Sequence, residues 1–219
     1  MTHSPPQRKL ARYEQILEMD LLALLKNTRL QGYEQPLIYA EANLELVRLD
    51  PGSLRPAQNY VLSEDVDTVL QLHGAFHNHN IDIFSLNGGL RFWIQNGEDE
   101  SVEGPIPLIP PIIEESIEPD GTRVLLICDG MHRVYAAKYL GVAINVIVAR
   151  NVPKQYPYYA LAVPGGWDAV QYLSQFPDGF IKKQYRDKLN YKALFRDFNA
   201  LLPGVQKQRK RTNPGHLIP

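Results

Sequence analysis

The sequence contains almost no cysteine and no long apolar run. Its single cysteine, Cys128, excludes an internal disulfide bond and is typical of proteins in a reducing compartment. No stretch approaches the roughly 20 apolar residues that are needed to span a bilayer. The first residues, which include two consecutive prolines, lack the apolar core of a signal peptide. These absences lead us to expect a cytoplasmic protein.

An excess of charge of one sign is missing too. The 23 basic and 24 acidic residues leave a net charge of -1, which gives no global attraction to nucleic acid or acidic membranes. One basic cluster, Lys207 to Arg211, lies near the end of the chain, where a solvated tail explains it more simply than DNA contact does. With 44% hydrophobic residues, the 219-residue chain has enough apolar material for a core.

Two apolar, partly β-branched runs flank a helical pattern in the middle of the chain. Val124 to Cys128 and Val142 to Ala149 are predicted to be buried strands. Between them, apolar residues recur at helical spacing until Gly141, where a helix commonly ends. The pattern is therefore strand, helix, strand, and it favours an α/β (α+β) fold.

Other segments predict further elements around this unit. An apolar stripe predicts an N-terminal helix, and a second amphipathic pattern near the end predicts a helix whose polar Arg196 faces water. The full set comprises helices over Ala11–Leu30, from Ser63, and over Tyr191–Leu202, a strand over Leu44–Leu49, and a hairpin of Ile81–Leu86 with Leu90–Gln95.

The junction between the first central strand and the helix carries the motif Asp129-Gly-Met-His-Arg133. Gly130 permits a tight turn or close approach by a ligand. A helix N-terminus presents free N–H groups and partial positive charge, which together with Arg133 suit phosphate oxygens. Asp129 is suited to hold a metal ion or to orient a hydroxyl group. A capping aspartate with two solvated basic residues is the alternative explanation.

This motif, with Ala136-Ala137 and Leu140-Gly141 after it, resembles the signature of the ParB/sulfiredoxin superfamily. Upstream, Leu54-Arg-Pro56 resembles the Arg-Pro step of that superfamily, and Pro110-Pro-Ile-Ile113 resembles the strand before its motif. The resemblance implies a core over residues 44–150 with an insertion at about 73–104. A helical N-terminal extension (1–43) and a C-terminal extension that packs on the core (151–219) complete the predicted architecture.

The superfamily resemblance also implies a nucleotide site. Members bind the phosphates of ATP, ADP or CTP at the turn and helix start that correspond to Gly130, Met131, His132 and Arg133. Free-serine kinases carry Asp-Gly-His-His-Arg, which differs from this motif only at Met131. The resemblance therefore implies a phosphotransferase that uses ATP or ADP with Mg²⁺, held through Asp129, and acts on a small hydroxyl-bearing molecule such as a free amino acid.

Some positions depart from the kinase pattern. Gln58 occupies the place of a glutamate that is implicated as a base, and an amide cannot take a proton. Glu64 or Asp65 would have to substitute, so we assign catalytic roles to Asp129, His132 and Glu64. The alternative is a nucleotide-gated regulatory or DNA-associated binding protein without kinase activity. Sulfiredoxin activity is disfavoured because Met131 stands where those enzymes have cysteine, and no convincing pair of metal-binding carboxylates indicates a nuclease.

A histidine-rich segment and one tryptophan complete the candidate residues. A helix through His73 and His77 places both on one face, where they form a hydrogen-bonded surface cluster, a substrate-pocket wall or, with His79 or Asp82, a metal site. Trp167 follows two glycines and is suited either to packing or to stacking on a ligand. We assign His73, His77 and Trp167 to a substrate pocket.

Overall fold

The computed structural model describes residues 9–95 and 101–201 and shows a mixed α/β fold. The basic cluster Lys207 to Arg211 lies outside these residues. The described strands are β1 (Lys9–Leu17), β2 (Asn43–Leu49), β3 (Tyr60–Leu62), β4 (Gly88–Gln95), β5 (Val102–Leu108), β6 (Ile112–Ile117), β7 (Arg123–Asp129), β8 (Ile144–Arg150) and β9 (Gln171–Leu173). The described α-helices are α1 (Glu18–Leu25), α2 (Ser63–His77) and α3 (Met131–Leu140). None of these helices has both the length and the apolarity that a bilayer span requires.

The central sheet has four strands in the order β2-β8-β6-β7. Strand β6 runs parallel to β8, whereas the β2–β8 and β6–β7 pairs are antiparallel. Because successive side chains of a strand point to opposite faces, Ile113 and Val146 pack on the side of α2 and α3, and Ile112 and Ile147 pack on the side of α1. Both faces of the sheet are therefore covered, and the central strand β8 is buried along nearly its whole length.

The predicted N-terminal helix over Ala11–Leu30 is wrong in its first half. Residues Lys9–Leu17 form strand β1, which pairs antiparallel with β4 in a second sheet of order β1-β4-β5. Only Glu18–Leu25 is helical. The pairing with β4 supplies β1 with backbone hydrogen bonds that the helical periodicity does not reveal, so tertiary context overrides the local pattern.

The predicted hairpin around Asn87 is also wrong. Its first arm, residues 81–86, forms turns in which the Asp82 carboxylate accepts hydrogen bonds from the Phe84 amide and the Ser85 hydroxyl. Gly88 has φ +126°, and a Cβ at this residue would lie 2.2 Å from the Ile16 carbonyl oxygen. Gly88 and Gly89 thus allow β4 to lie close to β1. Strand β1 pairs with β4 in place of residues 81–86.

The C-terminal segment packs on the core without the predicted helix over Tyr191–Leu202. Short 3₁₀ turns at Tyr191–Leu194 and Phe198–Leu201 replace it, with Arg196 between them. Arg196 does not face water, because only 7% of its surface is exposed and it forms an ion pair with Glu114 of β6. Strand β9 pairs in parallel with β3 and provides a second attachment. Within the described residues, the N-terminal extension contains one short helix, Glu18–Leu25, and residues 151–201 contain no α-helix.

Candidate functional site

The site begins at a tight turn where β7 ends and α3 begins, as the sequence pattern predicted. Gly130 adopts φ +82°, and a Cβ there would lie 2.8 Å from the Cβ of Pro111. Only glycine takes this left-handed conformation readily in so confined a space. The pairing of β6 and β7 shifts register here, leaving Cys128 as an extra residue on β7. Such bulges redirect neighbouring side chains.

Two amide groups in the first turn of α3 have no hydrogen-bond acceptor within the helix. The amides of Arg133 and Val134 both donate hydrogen bonds to the Gly130 carbonyl, each at 3.0 Å. The amides of Met131 and His132 come earlier in the helix and therefore have no intrahelical acceptor. They provide a pair of donors at the positive end of the helix, which is the arrangement that favours an anion.

Arg133 is less available to a ligand than the sequence suggested. Its side chain is 14% exposed, with Nη2 3.3 Å from the Asp129 Oδ2 and Nη1 donating to the Ile109 carbonyl. Burial lowers the pKa of Arg133, and the Asp129 carboxylate counteracts this effect. The guanidinium therefore fixes Asp129 and the turn in place.

His132 joins the turn to helix α2. Its Nε2 accepts a hydrogen bond from the Leu62 amide at 3.2 Å and lies 3.4 Å from the Asp65 Oδ2. Burial lowers the pKa of His132, although Asp65 and Asp129 both act in the opposite direction. A neutral imidazole whose Nε2 accepts a hydrogen bond must carry its proton on Nδ1.

These residues line one cavity of about 510 Å³. It lies against the carboxyl end of β7 and brings together segments that are distant in the chain. Asp65 and Asp129 both line it, and Mg²⁺ is commonly bound by one or two carboxylates together with substrate phosphates. The cavity residues used below are Gln58, Asp65, the segment Asp129 to Arg133, Tyr159 and Lys183.

The structure places Gln58 in the cavity because the Arg-Pro step runs beside β7. The Arg55 amide donates to the Leu125 carbonyl, and the Ile127 amide donates to the Arg55 carbonyl. These bonds bring Gln58 to the same cavity as Asp129. The Gln58 amide nitrogen donates to the Tyr60 carbonyl at 2.9 Å, so this side chain acts here as a hydrogen-bonding wall.

Lys183 and Tyr159 are not among the site residues that the sequence predicted. The Lys183 ammonium donates to the Tyr159 hydroxyl at 2.5 Å, and both line the cavity. An aromatic loop sequence was the only local signal for Tyr159. Lys183 reaches the site through pairing of distant segments, which no short motif encodes.

Four of the predicted site residues are not among those that line this cavity. Glu64 is exposed in the first turn of α2, and its neighbour Asp65 reaches the cavity instead. Trp167 donates to the Pro51 carbonyl at 3.1 Å and packs near Tyr135. His73 and His77 lie near the end of α2.

The histidine segment does not assemble a metal centre in the described part of the chain. The His73 Nδ1 lies 3.9 Å from the Asp82 Oδ1, and its ring packs 4.9 Å from that of Phe84. The His79 ring instead lies 6.4 Å from that of Tyr13. Within residues 9–95 and 101–201, no group of three or more His, Cys, Asp or Glu residues is arranged to hold a metal ion.

Cys128 has the environment of a packed thiol. It packs with Leu126 and Tyr158, and its carbonyl accepts a hydrogen bond from the Tyr158 hydroxyl at 2.9 Å. Burial raises the pKa of the Cys128 thiol well above its ordinary value, and Glu114 adds to this effect. Because the thiolate is the reactive form, the structure gives no support to a nucleophilic role.

The comparisons agree with the motif at the level of the family. The model of the ParB CE domain matches residues 20–171, which is more than half of the chain. This match includes all of α2 and the turn at Gly130 and ends at Gln171, the first residue of β9, whereas Lys183 lies beyond it. Neither the curated proteins nor the solved structures contain a match to this chain. The chain belongs to the ParB CE domain family.

Proposed function

We propose that this ParB-like protein binds ATP or ADP at the start of α3 and transfers a phosphoryl group to a small hydroxyl-bearing molecule such as a free amino acid. One observation carries the proposal. Met131 and His132, whose amides have no intrahelical acceptor, line a cavity of about 510 Å³ that Asp65 and Asp129 also line. That volume is within the range of small-molecule sites.

The charges of the cavity fit a nucleotide with a divalent cation. Anionic phosphates would lie at the positive end of α3. The carboxylates of Asp65 and Asp129 would hold Mg²⁺, and Mg²⁺ would neutralise charge on the phosphates when bound. Without a cation, the two carboxylates would repel the phosphates, so nucleotide binding is expected to require Mg²⁺.

Each residue of the turn then has a defined part in the proposed reaction. Asp129 orients the acceptor hydroxyl and accepts its proton, while Arg133 holds that carboxylate in position. His132, neutral and anchored to the Leu62 amide, fixes the first turn of α3 against α2. Asp65 supplies a carboxylate in the cavity that Gln58 lacks and that exposed Glu64 does not provide.

The second candidate is a nucleotide-gated binding protein without kinase activity. It is favoured by Gln58, because an amide occupies the cavity position of the expected base. Nucleotide binding without transfer to any acceptor would favour this candidate. An electrophoretic shift that vanishes when Lys207 to Arg211 are deleted would support its DNA-associated form.

The test is calorimetric binding of ATP, ADP and CTP with and without Mg²⁺, followed by phosphorus NMR with a panel of hydroxyl-bearing acceptors. Asp65→Asn and Asp129→Asn should weaken Mg²⁺-dependent binding, and Asp129→Asn should also abolish transfer. Asp67→Asn is the matched control, since Asp67 is exposed on α2 and does not line the cavity. Absence of nucleotide binding by the unmodified chain would overturn the proposal.

A further inference from the structure

The cavity contains a cation that no described carboxylate neutralises. Arg133 lies 3.3 Å from Asp129, and burial lowers the pKa of His132, which favours its neutral form. Lys183 lines the same cavity and makes no ion pair within the described residues. Its described side-chain hydrogen bond is to the neutral hydroxyl of Tyr159. An ammonium group has three donors, so two remain for a ligand.

The backbone on both sides of Lys183 is fixed by hydrogen bonds. The Asn59 amide donates to the Lys182 carbonyl at 2.9 Å, and the Leu161 amide donates to the Gln184 carbonyl at 2.8 Å. The Lys183 Nζ also lies 4.7 Å from the centre of the Tyr159 ring. Because backbone and side chain are both held, the charge is positioned before any ligand arrives, which lowers the entropic cost of binding.

The end of β7 has contacts with both the surroundings of this cation and the start of α3. Cys128 packs on the side of Tyr158, whose ring centre lies 5.8 Å from the Lys183 Nζ. The next residue, Asp129, contacts Arg133 of α3. The cavity is therefore lined by two sources of positive charge, the first turn of α3 and Lys183, and by the Asp129 carboxylate at the end of β7.

We propose that Lys183, positioned by Tyr159, binds the carboxylate of the acceptor, so that the acceptor is a hydroxy acid and not a neutral alcohol. This inference rests on the proposed function, in which the phosphates bind at the first turn of α3. A ligand with a carboxylate at Lys183 would present its hydroxyl towards Asp129. Lysine binds such a group as a point charge, and desolvation inside the cavity strengthens the attraction.

The experiment measures binding of D-glycerate and of its neutral counterpart glycerol to the full chain by calorimetry, with and without Mg²⁺ and ADP. Lys183→Met is expected to weaken glycerate binding about ten- to a hundredfold, since a hydrogen bond to a charged group is lost. Lys182→Met is the matched control, because Lys182 is exposed, lies over the Phe176 ring and does not line the cavity. Circular dichroism verifies that each variant folds.

The other variants distinguish positioning from direct contact. Lys183→Arg should retain most of the glycerate affinity, and Tyr159→Phe should lose part of it while glycerol binding stays unchanged. ADP affinity should change by less than about threefold in Lys183→Met, because the nucleotide is placed on α3.

Three results would overturn the inference. The first is glycerate binding no tighter than glycerol, and the second is an equal effect of Lys182→Met and Lys183→Met. The third is a loss of ADP affinity in Lys183→Met as large as the loss of glycerate affinity, which would assign Lys183 to a nucleotide phosphate. Failure of ADP to bind the unmodified chain would instead overturn the proposed function. The two failures are distinguishable, because glycerate binding is also measured without ADP.

Discussion

Gly130 shows how much of the site depends on one residue. A side chain at this position would meet two obstacles, the left-handed backbone and the ring of Pro111. Gly121 provides a comparison, because it has φ +85° and a Cβ added there would have no neighbouring atom within 4 Å. The two glycines therefore differ in surroundings but not in backbone conformation.

We expect Gly130→Ala to lower the free energy of unfolding by about 2–4 kcal/mol and Gly121→Ala by about 1 kcal/mol. The difference arises from the contact with Pro111, since the backbone strain is common to both. Urea denaturation of the two variants measures it. Equal losses would mean that the turn at Gly130 relaxes without cost.

His132 makes stability depend on pH. Its pKa is lowered in the folded chain, chiefly by burial, so folding favours the neutral imidazole. The stability that this preference supplies is complete above the unfolded pKa of about 6.5 and is lost as the pH falls below it. Asp65 and Asp129 reduce the effect without reversing its sign.

We therefore expect the unfolding free energy to fall more steeply between about pH 7 and pH 5 in the unmodified chain than in His132→Asn. Urea denaturation across this range gives both curves. Parallel curves would show that His132 is not the group responsible.

At the scale of the elements, Glu114 and Arg196 attach the C-terminal segment to β6. The two Glu114 oxygens accept from Arg196 Nε at 2.8 Å and Nη2 at 3.0 Å, and the Tyr39 hydroxyl donates to Glu114 at 2.7 Å. Although burial alone would lower the pKa of Arg196, Glu114 raises it above its ordinary value, so the guanidinium stays charged. Backbone carbonyls accept its remaining hydrogen bonds, including that of Pro157.

Arg196→Met is expected to lower the free energy of unfolding by about 3–5 kcal/mol, because it leaves a buried carboxylate without its partner. Adding Glu114→Gln to that variant should recover part of the loss. Arg123→Met is the control, since Arg123 pairs at 3.5 Å with Glu115, the next residue of β6, and is largely exposed. That pair should contribute less than about 1 kcal/mol. Similar losses in both variants, measured by urea denaturation, would contradict the assignment.

The elements also show where sequence reasoning succeeds. The unit of β7, α3 and β8 was predictable because β-branched runs and the glycines at its turns determine it locally. The outcome differed for β1, where Tyr13 and Ile16 fit a helical stripe but lie in a strand paired with β4. Pairing with a distant strand determines whether such a segment is a strand or a helix, and the local sequence pattern does not indicate that pairing.

At the scale of the whole molecule, the same limit applies to the site. The segment Asp129 to Arg133 was visible because five neighbouring residues carry its chemistry. Asp65 and Gln58 entered the prediction through the family resemblance. Lys183 joins them because the carbonyls of its neighbours Lys182 and Gln184 accept hydrogen bonds from Asn59 and Leu161, which only the folded structure reveals.

A ligand that fills this cavity should stabilise the entire chain. At about 100 times its dissociation constant, ADP with Mg²⁺ is expected to raise the free energy of unfolding by about 2.7 kcal/mol. Asp129→Asn should lose most of this gain at the same ligand concentration, whereas Asp67→Asn should keep it. Thermal or urea denaturation with and without ligand provides the comparison, and an equal gain in both variants would contradict a metal-dependent site at Asp129.

The first turn of α3 and Lys183, the two sources of positive charge in the cavity, come from different parts of the chain. The turn at Gly130 lies within the family match, and Lys183 lies after its last residue. Exchanging the segment around Lys183 for another sequence would change that part of the cavity lining and leave the turn, α3 and Asp129 unaltered. If Lys183 binds the acceptor and the turn holds the reacting groups, as we propose, ligand choice is open to redesign without rebuilding the turn.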